Sequence, residues 1–391
     1  MANDTLEGYP PRGIPRQSSR DPGVTEGVEG TLATFLAGQV NALDAVDPEL
    51  GRFARITGNL VLSGGKRLRP TFAYWGWRGR VGPNDPVEPL LPAFAALELM
   101  HTFALVHDDV MDMSATRRGA PTAHRTFAGD HTEAGRRGDP EHFGTTSAIL
   151  VGDLCLIWAD QLLARTPIDT ATLFAVRACY DRMRVEAVAG QYLDVLGETQ
   201  PDAWSVDRAL LVARHKTASY TVQRPLQFGM TLAGPDLCPG TSGRALADVD
   251  AAYCRYGAAV GEAFQLRDDL LGVYGDPAVT GKPAGDDLRT GKPTTLLMLA
   301  RQLATPAQRV ELATNSAGAV IPADGSGGPH PGPDVARLAE VIADTGAPER
   351  VEALIRERVD EGITAVMNAP VHPDARMALT ELAVTATHRP A

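Results

Sequence analysis

The segment LPAFAALELMHTFALVHDDVMD, Leu91–Asp112, sets the secondary structure expected of the whole chain. Apolar side chains recur along it at spacings of three and four, which is the pattern of one buried face of an α-helix. Alanine and leucine, both strong helix formers, supply most of that face. The segment ends in three aspartates, of which Asp108 and Asp112 stand one helical turn apart on the same side. It therefore predicts a core helix that ends in a dense negative charge.

The same periodicity extends to both sides of this segment, as in LATFLAGQVNAL, VARLAEVIADTG and ERVEALIRERVDEGITAVM. Strand signals are poor, because runs of Val, Ile and Tyr seldom alternate with polar residues and no Asn-Gly turn occurs. A chain of 391 residues, 44% hydrophobic, can bury a large core. We predict an all-α, single-domain helical bundle around a central cavity over residues 28–391. A flexible tail is expected at 1–27, and a Gly/Pro-rich loop at about 317–334.

Composition limits the possible partners and the location. The net charge of -11 and the pI near 5.3 argue against a nucleic-acid surface, which needs a basic face. The cysteines Cys155, Cys179, Cys238 and Cys254 form no CxxC pair, so neither a zinc knuckle nor a disulfide framework is indicated. The opening MANDTLEGYPPRG has no signal-peptide pattern, and no uncharged apolar run reaches 18 residues. We expect a cytoplasmic protein without a transmembrane segment.

The acidic cluster His107–Asp112 has a chemical implication. Like charges this close repel one another, so a buried set of aspartates requires a hard divalent cation such as Mg²⁺. Taken alone, the cluster is equally typical of a solvated helix end. Arg117 and Arg118 follow within ten residues, and two guanidiniums beside a metal suit a polyphosphate that bridges both.

A second acid pair, Asp268-Asp269, ends the segment FQLRDD far downstream. Two acidic clusters from distant helices that face each other across a cavity are suited to hold several Mg²⁺ ions, with a substrate diphosphate as the remaining ligand. Such a site would ionise the bond to that diphosphate.

A basic loop precedes both clusters. Gly64–Pro70, GGKRLRP, sets three cations in a glycine-rich turn before a helix, which is a plausible anion cradle. A solvated basic turn is the alternative. The stretch GDDLRTGKPT has the wrong glycine spacing for a nucleotide P-loop, and no strand precedes it.

Together these motifs resemble the polyprenyl synthetase family, in order and in separation, over roughly residues 30–310. The motifs are GGKRLRP, HDDVMD followed by RRG, GQYLD, Lys216-Thr217, and FQLRDD followed by VTGKPAGDD. The resemblance implies an isoprenoid synthase fold, a homodimer, and Mg²⁺, with three ions per active site. It also implies a trans-prenyl diphosphate synthase, a prenyltransferase that condenses isopentenyl diphosphate head to tail (1'-4) with an allylic diphosphate.

Carried over residue by residue, the resemblance implies the following roles. Asp108, Asp112 and Asp268 would bind metal, with Asp109, Asp269 and Lys216 completing the catalytic set. The allylic diphosphate would contact Arg117, Lys216, Thr217, Gln265, Lys282 and Lys292. Isopentenyl diphosphate would contact Lys66, Arg69, His101 and Arg118. His101 precedes Asp108 by two helical turns, which predicts that it lies on the same face, although a lone histidine on an apolar helix is more often a core residue.

One departure from the family pattern stands out, because the second motif has Gly272 where a third aspartate is usual. We expect weaker metal binding from this change. Product length should depend on Met100, Phe103 and Ala104, which precede Asp108 and are expected to wall the cavity. An aromatic residue five positions before Asp108 and a small one four before it resemble geranylgeranyl diphosphate synthases, with a farnesyl product as second choice.

Two other functions share part of this pattern. A class I terpene cyclase uses similar aspartates but has no use for the GGKRLRP clamp. A non-catalytic regulatory subunit of a prenyl synthase is suggested by Gly272.

Overall fold

The computed structural model describes residues 22–82, 84–200, 203–234, 243–276, 285–316 and 334–388. The prediction of an all-α fold is confirmed, since helices make up almost all of these ranges. The α-helices are α1 Pro22–Asp44, α2 Pro48–Leu62, α3 Leu68–Arg78, α4 Leu91–Met111, α5 Ala123–Glu133, α6 Pro140–Ala164, α7 Thr170–Thr199, α8 Val206–Val212, α9 Arg224–Leu232, α10 Gly243–Tyr274, α11 Asp286–Thr290, α12 Thr295–Leu303, α13 Pro306–Ser316, α14 Val335–Asp344, α15 Ala347–Met367 and α16 Pro373–Thr387.

Four further elements lie among the described residues. A 3-10 turn, Glu88–Leu90, leads into α4, and a π-helix, Ala213–Gln223, joins α8 to α9. The strands β1 Thr116–Arg117 and β2 Ala120–Pro121 pair as a short antiparallel hairpin after α4.

Short polar residues set several helix starts. The side chains of Asp47, Asp139, Asp169 and Ser205 each accept a hydrogen bond from a backbone N–H in the first turn of α2, α6, α7 and α8. These bonds satisfy donors that a helix start otherwise leaves without a partner.

Two hydrophobic clusters form the core. One cluster is centred on α4, which packs along α6. This cluster includes the fully buried Phe94, Leu97 and Trp158. The other gathers around α10, which packs along α15 and the π-helix. Trp75 of α3 packs against both clusters. The functional side chains described below lie between these two halves.

The predicted tail boundary at residue 27 is wrong. Helix α1 already begins at Pro22, and Val24 is buried at 3% exposure. Val24, Val28 and Leu32 repeat every four residues and form the buried face of this helix, a signal that the surrounding glycines and prolines obscure. Residues 1–21 and 317–333, which include most of the predicted tail and loop, lie outside the described residues. Asp334 caps α14.

Among the described residues, two helical stretches, Glu88–Met111 and Pro140–Ala164, are long and apolar enough to cross a membrane. Their most apolar windows are 61% and 50% buried, and the helices pack against each other. Packing in the core is sufficient to explain their composition, so this is weak evidence for a membrane span.

Helices α3 and α9 approach so closely that glycine is required at their crossing. A Cβ at Gly229 would overlap the carbonyl oxygen of Ala73. We expect Gly229→Ala to lower the free energy of unfolding by about 1–3 kcal/mol, because the backbones must separate. Gly38→Ala, where a Cβ meets nothing within 4 Å on α1, is the matched control and should stabilise by up to about 1 kcal/mol. Urea unfolding measures both, and equal shifts would contradict the close crossing.

Candidate active site

A cavity of about 710 Å³ lies between the two halves of the bundle. Its wall includes the basic loop at Gly65–Arg69, one face of α4, the hairpin arginines, α8, the π-helix, α10 and the segment 292–295. Asp108, Asp112, Asp268 and Asp269 all line it. The two acid pairs, 156 or more residues apart in sequence, therefore share one hollow with the basic loop.

Helix α4 contributes a single stripe to this wall: Glu98, His101, Leu105, Asp108 and Asp112. These positions alternate by three and four residues, which keeps them on one helical face. The prediction that His101 shares a face with Asp108 agrees with this arrangement.

The residues predicted to wall the product tail are not on this stripe. At 100° per residue, Phe103 points about 180° away from the centre of the stripe. Its ring packs edge-on against His107, at 4.9 Å between centroids. Met100 is fully buried in the core, and Ala104 is half-buried outside the lining. Met100, Phe103 and Ala104 are therefore not among the residues that line this cavity, where Leu105 is the apolar α4 residue. Their effect on product length stays a prediction.

Two lysines neutralise the acids of the first cluster. Lys216 Nζ lies 2.9 Å from Asp108 Oδ1 and also binds Asp194. Lys292 Nζ lies 2.8 Å from Asp194 and 3.4 Å from Asp112. Burial opposes the charged form of Lys292, but Asp194 and Asp112 outweigh it and hold the lysine pKa well above its ordinary value.

The same cations set the state of the aspartates. Burial opposes ionisation of Asp108, yet the charges of Lys216 and Lys292 hold its pKa below the ordinary value. Burial and the neighbouring Asp108 charge raise the pKa of Asp112. Arg117 lies 3.2 Å from Asp108 and donates to both oxygens of the buried Asp109, at 2.8 and 2.9 Å. Asp109 is thus held by arginine.

The π-helix places Lys216 and Thr217 in the cavity wall. It fits tightly between α7 and α10, because a Cβ at Gly190 would overlap the Lys216 backbone and one at Gly261 would lie 2.5 Å from the Ala218 Cβ. Wide i→i+5 turns are rare and occur frequently at functional sites. Glycines on both neighbouring helices leave the space that this segment needs.

The second acid pair is held by polar groups of α10 and α12. Gln265 Nε2 donates to Asp269 Oδ1 at 2.8 Å, and the Thr295 N–H donates to Asp269 Oδ2 at 3.2 Å. Burial raises the pKa of Asp269 to about 7. Asp268 lines the cavity and is 4 residues before Gly272. A Cβ at Gly272 would lie 2.7 Å from Asp287 Oδ2, so the carboxylate of Asp287 takes the space beside this glycine.

Basic groups gather at the other end of the cavity. Arg69 donates to Thr221 Oγ1 at 2.8 Å and lies over the Tyr220 ring, and its Nε has no protein partner. Arg118 donates to the Gly64 carbonyl, and Lys66 lines the same wall. Burial, followed by the charge of Arg69, lowers the pKa of His101 well below its ordinary value. His101 is therefore a neutral ring among cations.

The described structure thus brings together nearly all the predicted site residues. Lys66, Arg69, His101, Asp108, Asp112, Arg117, Arg118, Lys216, Thr217, Gln265, Asp268, Asp269 and Lys292 line one cavity, and Asp109 supports it from behind. Lys282 lies outside the described residues.

Sequence reasoning assigned no role to Asp194, Glu198, Glu98 or Asp287. Asp194 bridges both lysines, and Glu198 lies 3.8 Å from Lys292. The GQYLD motif carries the signal for Asp194, whereas nothing in the sequence singles out Glu98, whose partner is 31 residues away.

The donor set suits Mg²⁺. Among the described residues, no three His, Cys, Asp or Glu side chains form a group that could hold a metal by themselves. Mg²⁺ is usually bound by one or two carboxylates together with substrate phosphates, because it keeps much of its hydration. The oxygen donors Asp108, Asp112 and Asp268 fit that requirement, with the rest of the coordination left to a polyphosphate and water.

The sequence is similar to those of known prenyl diphosphate synthases. The family model for polyprenyl synthetase matches residues 52–319. A geranylgeranyl diphosphate synthase of Mycobacterium tuberculosis is 32% identical over 331 residues, 82% of this chain and 79% of the relative. A geranylfarnesyl diphosphate synthase of Aeropyrum pernix is 30% identical over 317 residues, 80% and 86% of the two chains.

Among solved structures, the geranylgeranyl pyrophosphate synthase of Corynebacterium glutamicum, complexed with isoprenyl diphosphate and magnesium, superposes with a TM-score of 0.84. It is 38% identical, and the match covers 94% of this chain and 99% of that one. The helical bundle has the fold of an isoprenoid synthase. This chain belongs to the polyprenyl synthetase family and is a prenyltransferase.

The neutral state of His101 predicts a pH dependence of stability. Because its pKa in the folded protein lies below the unfolded value of about 6.5, the unfolded chain binds the extra proton. The contribution of neutral His101 to stability is fully present above about pH 6.5 and is lost as the pH falls below that value. We expect His101→Gln to flatten the decline in the free energy of unfolding between pH 7.5 and pH 5. His142→Gln, at an exposed position of α6, is the control, and equal slopes in all three proteins would contradict the assignment.

Proposed function

We propose that this protein joins isopentenyl diphosphate to an allylic diphosphate in a magnesium-dependent 1'-4 condensation. The observation that carries the proposal is the shared cavity, in which two acid pairs and a separate basic cluster face one hollow. A wall of this composition can bind two anionic groups in two different ways. One is held through metal and lysines, the other by arginines and a neutral imidazole.

The allylic diphosphate is assigned to the acidic end. Arg117, Lys216, Thr217, Gln265 and Lys292 would contact it, while Asp108, Asp112 and Asp268 would hold Mg²⁺, three ions in all. When bound, Mg²⁺ supplies charge stabilisation to the departing diphosphate. Lys216 and Lys292, now paired with aspartates, are free to turn to the phosphate once metal neutralises those acids. We include Lys282 in this set by resemblance.

Isopentenyl diphosphate is assigned to the basic end, where Lys66, Arg69, His101 and Arg118 would bind it. The allylic C–O bond breaks, the isopentenyl double bond attacks the resulting cation, and one proton leaves to restore the alkene. The released diphosphate is the proposed acceptor of that proton. The chain's part is to hold the two substrates side by side and to exclude water with the apolar wall that includes Leu105, Val212 and Phe264.

The proposed product is geranylgeranyl diphosphate, with farnesyl diphosphate as second choice. The relatives described above support a short-chain product, since two of them are named geranylgeranyl synthases. The alternatives fit less well. A terpene cyclase handles one diphosphate and does not need the basic cluster. A non-catalytic subunit was suggested by Gly272, but Asp287 brings a carboxylate to that place.

The assay that tests the function combines purified protein, Mg²⁺, isopentenyl diphosphate and each allylic starter, with product analysis by mass spectrometry. We expect chain elongation, abolished by EDTA, and a fall in kcat of about 10²-fold or more in Asp108→Asn and Asp268→Asn. Asp181→Asn, a half-exposed acid of α7, is the control and should retain activity. Cyclised hydrocarbon products would favour the cyclase, and inactivity with every starter would overturn the proposal.

We further propose a cytoplasmic homodimer. The supporting feature is a set of exposed apolar side chains on α6 and α7. On α6, Leu150 and Ile157 are 53% and 54% exposed, and on α7, Val185, Val188 and Tyr192 are 55–68% exposed. Their spacing of seven on α6, and of three and four on α7, gives each helix an apolar face. Such faces are typical of protein interfaces, and a second copy of the chain is the proposed occupant.

Light scattering coupled to size exclusion tests the dimer. We expect the wild type at twice the 41.5 kDa chain mass and Ile157→Glu shifted toward the monomer, because a charge would be buried in the interface. Met377→Glu, an equally drastic change at a 63% exposed apolar residue of α16, should stay dimeric. A monomeric wild type would contradict the proposal.

A further inference from the structure

Arg67 sits in a strained turn. It ends the loop before α3 and adopts a left-handed backbone with φ 47°, after Gly64 at 90° and Gly65 at 144°. This conformation is unfavourable for any residue with a Cβ and is readily adopted by glycine. Since an arginine stands here, its side chain must contribute something that glycine lacks.

The guanidinium of Arg67 pairs with other groups inside the protein. Its Nη1 lies 2.7 Å from Glu98 Oε2, and the two side chains are only 3% and 4% exposed. Its Nη2 donates to the Val61 carbonyl at 3.2 Å, and its Nε lies 3.4 Å from Glu29 Oε1. Arg67 borders the cavity, yet its three guanidinium nitrogens are directed to partners on α1, α2 and α4. The neighbouring Arg69, by contrast, keeps an Nε without a protein partner.

Glu98 connects this turn to the rest of the basic cluster. It lies on the cavity face of α4, three residues before His101, so both side chains project from adjacent turns of one helix. Lys66 and Arg69 flank Arg67 on the loop. A single buried ion pair thus links the loop that carries two cations to the helix that carries the histidine.

We propose that Arg67 and Glu98 act as a positioning pair for the second diphosphate site, which rests on the function proposed above. The pair holds Lys66 and Arg69 at a fixed separation from His101. Arg67 itself does not touch the substrate. The planar guanidinium is needed for its geometry as well as its charge. Its three nitrogens reach partners on three different helices, which the compact ammonium of a lysine cannot span.

The test separates the two substrates. In Glu98→Gln and Arg67→Lys, we expect the KM for isopentenyl diphosphate to rise roughly tenfold or more, with kcat and the allylic KM within about threefold of wild type. The double variant Arg67→Lys with Glu98→Gln should raise the KM for isopentenyl diphosphate little more than either single change, since the effects of two changes within one pair are not additive. Arg67→Lys keeps the charge and serves as the second variant should Glu98→Gln fail to fold.

A matched control is Glu262→Gln. Glu262 is 2% exposed and pairs with Arg214 and Arg358, but it is not part of the cavity wall. We expect it to lower thermal stability without a selective rise in the isopentenyl diphosphate KM. If the Glu98 and Arg67 variants lose kcat and both KM values together, or match this control, the pair is only structural and the proposal is overturned.

Binding of inorganic pyrophosphate without metal, measured by calorimetry, makes the test independent of turnover. We expect the Arg67 and Glu98 variants to bind it more weakly than wild type and Glu262→Gln. Unchanged affinity would overturn the positioning role even if the enzyme is active. An inactive wild type that still shows this difference would count against the proposed reaction and leave the positioning role supported.

Discussion

Like charge in a confined space is the constraint on which this structure depends. Asp108, Asp112 and Asp194 approach one another in a largely buried region, where their repulsion is poorly screened. The protein balances them with Lys216, which pairs with two carboxylates, and Lys292, which pairs with three. The buried charges are thus paired within the protein, and the same groups provide the carboxylates for a metal and the cations for a polyphosphate.

Irregular backbone segments hold several of these charged side chains in place. Lys216 comes from a π-helix that fits between two helices only because Gly190 and Gly261 lack side chains at the contacts. Arg67 in the basic loop, Met113 just after α4 and Arg118 in the hairpin turn all adopt left-handed conformations. Strained backbone of this kind persists when the surroundings determine it, and here it surrounds the cavity. The regular bundle provides the rigid frame for these exceptions.

The two ends of the cavity differ in how they handle an anion. At the acidic end, cations are already paired with carboxylates, so binding there involves an exchange of partners. At the basic end, Arg69 and His101 retain buried polar atoms without protein partners, and the imidazole is neutral. This end is ready to donate hydrogen bonds to an anion without first breaking an ion pair. The asymmetry matches a reaction in which one diphosphate leaves and the other is only held.

Local pattern was enough to predict helices, the acid clusters, and the membership of His101 in the metal-facing stripe, because each depends on spacing along one helix. It did not show where Phe103 and Met100 pack: the Phe103 ring lies against His107 and Met100 is buried in the core, and their effect on product length stays a prediction. The start of α1 was missed because glycines and prolines outweighed a short apolar repeat. The position of Asp287 beside Gly272 was not predicted, because Asp287 lies 15 residues further along the chain, on a separate short helix, α11.

The sequence by itself determined that this is an all-helical protein with two acid pairs and a basic loop, and its motif order determined the family. Only the tertiary structure decided that the pairs share one hollow, that two lysines join the first acid pair to Asp194, and that Arg67 turns inward to Glu98 while Arg69 faces the cavity. The physical reason is the separation along the chain over which each kind of interaction acts. Helix propensity and periodicity act over a few residues, whereas charge pairing and close packing join residues tens to hundreds of positions apart.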